Sequence, residues 1–217
     1  MKINKRLLAI SNYVNDNSNV IDVGCDHALL AIYLVKNKKN IFCIASDINE
    51  GPLNQARKNI EKYDVQEKIK INLGNGIEPI EEEIDTIIIS GMGGTTITNI
   101  LNDKNKLVNV KRIILSPNNE IYKVRKNMNK LGYKIICEEV ISDRDKFYPI
   151  IVFEKVTERL NNQKFLYGSL VKNNADYKKY IGYLKEKLQL KLKSIPKKYI
   201  IKRLLLKREI RLLDKNN

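Results

Sequence analysis

Apolar positions along the 217-residue chain follow two patterns, which change over near residue 158. Before that point, short apolar runs alternate with stretches whose apolar positions recur every three or four residues. That is the signature of strands alternating with helices. The runs at 20–23, 41–46, 69–73, 84–90 and 110–115 read as five strands. Stretches 27–36, 51–63, 95–101 and 120–131 read as helices, and 2–14 as a short amphipathic helix ahead of the first strand. Pro52 sits near the start of its helix, where a missing N–H costs little, and Gly132 stops the last one. The run I-D-T-I-I-I-S at 84–90 is almost continuously apolar, as a parallel strand covered on both faces should be. Two further strands, 133–141 and 147–155, are joined by the polar turn S-D-R-D-K. With no room for a crossover helix, they must run antiparallel. The expectation is an α/β fold: five β–α units in a mostly parallel sheet, then an antiparallel pair. The pattern leaves the strand order open.

Beyond residue 158 the strand signals stop. Segments 170–193 and 197–213 are long Lys/Leu/Ile stretches separated by Ser194-Ile195-Pro196. Tyr177, Ile181, Leu184 and Leu188, then Ile200, Ile201, Leu204 and Leu205, recur at three and four. This predicts a helical hairpin, coiled-coil-like, packed through an apolar stripe with lysines outward. The division expected is an α/β body at 1–157 and a basic helical domain at 158–217.

Charge sharpens that division. Residues 1–157 carry 23 Lys+Arg and 20 Asp+Glu, a net of +3; residues 158–217 carry 17 and 5, a net of +12; together they make the chain's +15. A near-neutral body with a strongly basic end points to a polyanion gripped by the C-terminal part, through residues such as Lys178, Lys185, Lys197, Lys198 and Arg203. The same lysines would also suit a solvated helical face. Composition adds bounds. At 43% hydrophobic the chain can bury one full-sized core plus an appendage. Three cysteines without C-x-x-C spacing and a single histidine suit a reducing cytoplasm and leave no plausible metal set. No segment reads as a signal peptide or membrane span, so a cytoplasmic protein is expected.

The candidate chemistry centres on N-V-I-D-V-G-C-D-H-A at 19–28, where strand, glycine turn and helix start make the first step of a nucleotide-binding domain. The turn has one glycine, Gly24, then Cys25 and Asp26, so a pyrophosphate could not lie close along it. Asp22 and Asp26 would repel a phosphate and attract an ammonium or sulfonium group, which favours S-adenosylmethionine over NAD. Asp26 also suits a plain helix N-cap. Asp47 ends the second strand 25 residues after Asp22, where a doubly wound fold places the carboxylate that holds two ribose hydroxyls. After the fourth strand comes Gly91-Met92-Gly93-Gly94, whose glycines would let the backbone approach a flat ligand or base.

Five β–α units followed by an antiparallel pair is the plan of class I methyltransferases, a Rossmann-like sheet. Within that class the chain resembles the bacterial tRNA (adenine-22-N1)-methyltransferases. The resemblance rests on K-R-L at 5–7, D-V-G-C-D-H-A at 22–28, D-I-N-E-G-P-L at 47–53, G-M-G-G at 91–94, P-N at 117–118 and D-K-F-Y at 145–148. It implies S-adenosylmethionine as cofactor, held by Asp22, Gly24, Asp26 and Asp47 with Ile48, Asn75, Gly76, Gly91 and Met92. It implies a tRNA substrate met by Arg6, Gly93 and Asn118, with Asp26 and His27 as the catalytic candidates; His27 could accept a proton, and a lone histidine beside a helix start equally suits a structural role. A monomer needing neither metal nor membrane is expected.

Some positions depart from the family's pattern. Asn75 stands where the family usually has Asp, so the cofactor's 6-amino group would donate to an amide oxygen. Leu29 and Ala31 replace an aromatic residue and a proline, and Ser116 replaces a glutamine. Adenine N1 is an unprotonated lone pair near neutral pH, so its methylation is mainly a positioning problem. Positive charge left on the base is one that Asp26 could stabilise. Ser90-Gly91-Met92-Gly93 stands where an N6-aminomethyltransferase would show Asn/Asp-Pro-Pro-aromatic. Two other readings stay open: a small-molecule methyltransferase, and a non-catalytic RNA-binding protein on the same fold.

Overall fold

In the computed structural model the described residues up to 156 form one seven-stranded sheet with helices on both faces. The structure describes residues 1, 3–80, 83–143, 146–156 and 175–214. The expected body–helix boundary at 157–158, the helix start at 170–174 and Asp145 of the D-K-F-Y motif lie outside the described residues.

The strands are β1 (Asn19–Val23), β2 (Phe42–Asp47), β3 (Ile69–Leu73), β4 (Thr86–Ser90), β5 (Arg112–Ser116), β6 (Tyr133–Asp143) and β7 (Lys146–Lys155). Their order is β3-β2-β1-β4-β5-β7-β6. β1 to β5 run parallel, while β7 pairs antiparallel with both β5 and β6. The helices are α1 (Lys5–Asn12), α2 (Leu29–Asn37), α3 (Glu50–Lys62), α4 (Gly94–Ile100), α5 (Ile121–Lys130), α6 (Ala175–Ser194) and α7 (Ile200–Asp214). The described part of the β3–β4 connection, where the sequence pattern places no helix, turns at Asn75–Glu78 and Ile77–Ile80 and forms no α-helix.

The apolar runs are continuous because each central strand feeds two cores at once. Successive side chains point to opposite faces. Val20, Ile88 and Ile114 therefore join one core, beneath α1, α2 and α3. Their neighbours Ile21, Val23, Ile87, Ile89, Ile113 and Leu115 join the other, beneath α4 and α5.

The C-terminal helices rest on the outer strand pair. Tyr177, Ile181 and Leu213 bury against Val140, and the backbone N–H of Ser142 donates to Asp176 Oδ2 at 2.9 Å. Arg203 crosses the hairpin to donate to the carbonyls of Leu192 and Ile195, at 2.8 and 2.5 Å. The predicted stripe holds at Tyr177 and Ile181 on α6 and fails on α7. Ile200, Ile201, Leu204 and Leu205 are exposed, while Leu206 and Leu213 are buried. Those two stand seven residues apart, and neither belongs to the local apolar run.

Below α6 lies a buried ion pair: Arg125 of α5 donates from Nε and Nη2 to Glu138 Oε1 of β6, at 2.7 and 2.6 Å. Removing one partner leaves the other charge buried and unpaired, which costs about 3–5 kcal/mol. Arg125→Met should lower unfolding free energy by about that amount in guanidinium titrations. Adding Glu138→Leu to it should restore most of the loss; a double variant as weak as the single one would show that the pairing is not what matters.

Candidate active site

Where β1 and β4 lie side by side, the connections leave the sheet toward opposite faces, and a cleft of about 700 Å³ opens at the strand ends. Its floor is the turn after β1. Gly24 has φ +72, and the N–H groups of Gly24 and Cys25 both donate to the Ser46 carbonyl, at 2.8 and 3.0 Å. A side chain here would collide with the cover, since a Cβ on Gly24 would stand 2.4 Å from Met92 Cε. Asp47, at the end of β2, accepts from the backbone N–H of Asn49 through Oδ1 at 2.9 Å, which leaves Oδ2 as an acceptor on the cleft wall. Ile48 beside it is 64% exposed and lines the cleft together with Ile77, Met92 and Ile100. Asn75 and Gly76 complete this wall; Gly76, at φ +62, packs against Ile100.

A second cleft, about 1040 Å³, lies between α5, the β6–β7 hairpin and α6. Arg6, Asn118 and Tyr148 line it. The two clefts share a seam of three hydrogen bonds: Gly91 N–H to the Ser116 carbonyl at 3.0 Å, Asn118 N–H to the Met92 carbonyl at 2.9 Å, and Asn118 Nδ2 to the Gly91 carbonyl at 2.5 Å. With Nδ2 so engaged, Asn118 offers its Oδ1 as an acceptor. Arg6 reaches in from α1, its guanidinium 4.9 Å from the Tyr148 ring centroid and 3.3 Å from where a Gly91 Cβ would be. The seam, Arg6 and Tyr148 together form the junction between the clefts.

Three carboxylates surround the β1 turn. Asp22 is buried, and burial above all, reinforced by the charges of Asp26 and Asp47 and opposed by Arg6, pushes its carboxyl up to about 7. Asp26 and His27 are both exposed, 3.4 Å apart, and neither is among the residues lining the two clefts. The N-cap alternative for Asp26 is overturned. Ala28 occupies that position in left-handed conformation without a side-chain cap, and Asp26 is itself at φ +51 two residues earlier.

The glycines after β4 divide by task. Gly91, at φ +83, lines the first cleft. Gly94 does not face a ligand. A Cβ there would stand 2.8 Å from the carbonyl oxygens of Asn119 and Glu120, and Gly93 is covered by the Asn119 side chain. Asn119 and Glu120 instead cap α4, accepting from the N–H groups of Gly94 and Thr95 at 3.0 and 3.1 Å.

Among the basic candidates on the C-terminal helices, Lys178, Lys197 and Lys198 are exposed, whereas Arg203 is spent on the hairpin and Lys185 is half-buried and engaged. The lysines of α6 that line the second cleft are Lys187 and Lys191. Sequence reasoning passed over these, along with Asn49 and Tyr148. Asn49 was detectable as an Asx hydrogen bond two residues past Asp47. Tyr148 stood within a quoted motif, but only the fold brings it to Arg6.

Comparison with known proteins agrees with this geometry. Residues 3–151 match the model of the methyltransferase domain family. The chain is 36% identical over 156 residues to the tRNA (adenine(22)-N(1))-methyltransferase of Bacillus subtilis (strain 168), a match covering 71% of this chain and 66% of that protein. A Streptococcus pneumoniae protein, a candidate tRNA (m1A22) methyltransferase crystallised with S-adenosyl-L-methionine, is 32% identical, with a TM-score of 0.88 over 99% of both chains. M. capricolum TrmK, solved with S-adenosyl-homocysteine, is 28% identical, with a TM-score of 0.86 over 100% of this chain and 98% of that one.

The Asp22 carboxyl titrates from an ordinary 3.8 in the unfolded chain to about 7 in the folded one. Folding therefore favours its proton: the stability is fully present below about pH 4 and is lost as pH rises through about 7. Asp22→Asn, which cannot ionise, should gain on the wild type between pH 5 and pH 8, by on the order of 2–4 kcal/mol in unfolding free energy. A difference that stays constant across that range would show that the buried carboxyl does not titrate there.

Proposed function

The chain belongs to the methyltransferase-domain family that includes the bacterial tRNA (adenine-22-N1)-methyltransferases, and from that premise we propose that it transfers a methyl group from S-adenosylmethionine to N1 of adenine 22 in tRNA. The observation that carries the reading is the junction of two clefts at Gly91 and Asn118, one shaped for the cofactor and one open toward the basic helices.

The residues present fit the cofactor. Asp47 keeps one carboxylate oxygen for a ribose diol, and the exposed Ile48, with Ile77 and Met92, offers apolar surface for a purine. The turns at Gly24 and Gly91 admit close approach to the backbone. Carboxylates at Asp22, Asp26 and Asp47, against one guanidinium at Arg6, suit a ligand bearing positive charge. When bound, S-adenosylmethionine supplies an electrophilic methyl group on a sulfonium centre.

The chain's own task is positioning. Adenine N1 needs no deprotonation, so the protein has only to present that lone pair in line. Asn118 Oδ1 can accept from the target's 6-amino group, and the Nδ2 bond to the Gly91 carbonyl fixes the orientation of that amide at the seam. Arg6 and Tyr148 bound the space beside it. The carboxylate of Asp26 supplies negative field for a base that has gained positive charge, and His27 is its neighbour at 3.4 Å. Exposed lysines at 178, 197 and 198 on the C-terminal domain hold RNA phosphates, contacts that position the RNA without reading its sequence. Both clefts are built from one chain, so a monomer suffices. The tRNA substrate implies the cytoplasm, and among the described residues no helix is long and apolar enough to cross a membrane.

Radiolabelled methyl transfer to bulk unmodified tRNA, followed by mapping of the modified base, tests the reading. Label at N1 of adenine 22 is the expected result. Transfer that needs no RNA, or no transfer at all, would overturn it. Asp47→Ala should weaken S-adenosylmethionine binding, measured by calorimetry, about 10- to 100-fold with the melting temperature intact.

A further inference from the structure

The second cleft is larger than a single target base requires, about 1040 Å³ against about 700 Å³ for the cofactor cleft. It runs away from the Arg6–Tyr148 junction between two helical walls. Each wall presents the same device. On α5, Tyr122 is 43% exposed, with Lys126 Nζ 5.9 Å from its ring centroid. On α6, Tyr183 is 47% exposed, with Lys187 Nζ 5.8 Å from its ring centroid. Both are a tyrosine followed four residues later by a lysine, which places ring and ammonium on one helical face. Tyr183 is backed from below by Phe147 of β7, at 5.6 Å between centroids.

The charges of the cleft are not symmetric in availability. Its carboxylates are engaged: Glu138 by Arg125, Glu120 by Lys123, Glu139 by the Tyr13 hydroxyl, and Glu209 within the described structure as well. Lys146, Lys187 and Lys191 line the cleft and are exposed, and the exposed Lys126 stands beside Tyr122. Half-exposed aromatic faces with ammonium groups at their edges are the components that bind single-stranded nucleic acid, the rings taking bases and the cations taking phosphates.

The proposed chemistry requires such a place. N1 lies on the Watson–Crick edge, so a target base must leave its stack to be methylated, and its neighbours lose stacking partners when it does. We propose that the cleft between α5, β7 and α6 holds the unstacked RNA strand flanking the target adenine, with Tyr122 and Tyr183 as stacking platforms on opposite walls and Lys126, Lys187 and Lys191 at its phosphates. The inference rests on the tRNA-methyltransferase reading above and adds a binding site to it.

The test uses the full-length protein and a tRNA transcript carrying 2-aminopurine next to the target adenine. Tyr122→Ala and Tyr183→Ala should each raise the KM for tRNA about tenfold and leave cofactor affinity unchanged by calorimetry, while Tyr→Phe at either position keeps wild-type values. Quenching of 2-aminopurine on binding should persist in the wild type and the Phe variants and fall in the Ala variants. Lys187→Gln and Lys191→Gln should each lower the salt dependence of binding by about one phosphate contact. The two readings fail separately. Wild-type methylation at N1 with KM and quenching unchanged in both Ala variants overturns the stacking cleft alone. Absence of any transfer by the wild type to tRNA overturns the function, and the cleft with it. Loss in the Phe variants as large as in the Ala variants also overturns the stacking role.

Discussion

The hydrogen bond from Asn118 Nδ2 to the Gly91 carbonyl, with its two backbone companions, fixes the distance between the cleft that suits the cofactor and the cleft that suits the target. It exists because β4 and β5 are neighbours and end in register at Ser90 and Ser116. Each continues into a loop that the other loop can reach. Gly94 and the Asn119–Glu120 backbone press together at the base of the same loops, so α4 and α5 start from one block. Transfer between two bound molecules is chiefly a matter of fixed geometry. Here that geometry is carried by backbone and one amide side chain, on the rigid edge of a seven-stranded sheet.

Charge is arranged around the seam in complementary zones. The β1 turn gathers Asp22, Asp26 and Asp47 around Gly24, and burial pushes the carboxyl of the first up to about 7. Arg6 opposes that field from the target side, where it also lies against the Tyr148 ring. Positive charge concentrates in the sequence at residues 158–217, with a net of +12. On the function proposed above, this division of charge would draw a cationic cofactor and a polyanionic substrate to different parts of the molecule. The Arg125–Glu138 pair lies beneath α6 within the second cleft, joining α5 to β6.

Much of this was legible in the residues, for physical reasons that also mark the limits. Buried parallel strands are apolar throughout, so the runs that became β1 to β5 stood out, and the short S-D-R-D-K turn announced the antiparallel pair. Asp47 was legible because it ends a strand at the spacing a doubly wound fold requires. The turn at 24–28 was not, since positive φ at Asp26 and Ala28 defeats a capping rule written for extended N-cap residues. Gly94 was misread for a different reason: a glycine required by the chain's own backbone looks in sequence like one required by a ligand. The exposed residues 200–205 on α7 show the same limit at larger scale, because a local apolar run does not reveal which face its partner covers.

The central claim is that the seam positions two bound molecules for transfer, and single-turnover methyl transfer by Asn118→Ala tests it most directly. With cofactor and tRNA both saturating, the account predicts a transfer step slowed by at least about tenfold, the loss of one oriented hydrogen bond, while both binding affinities stay near wild type. A transfer step at the wild-type rate, or a loss that disappears once the cofactor is raised to saturation, would contradict it.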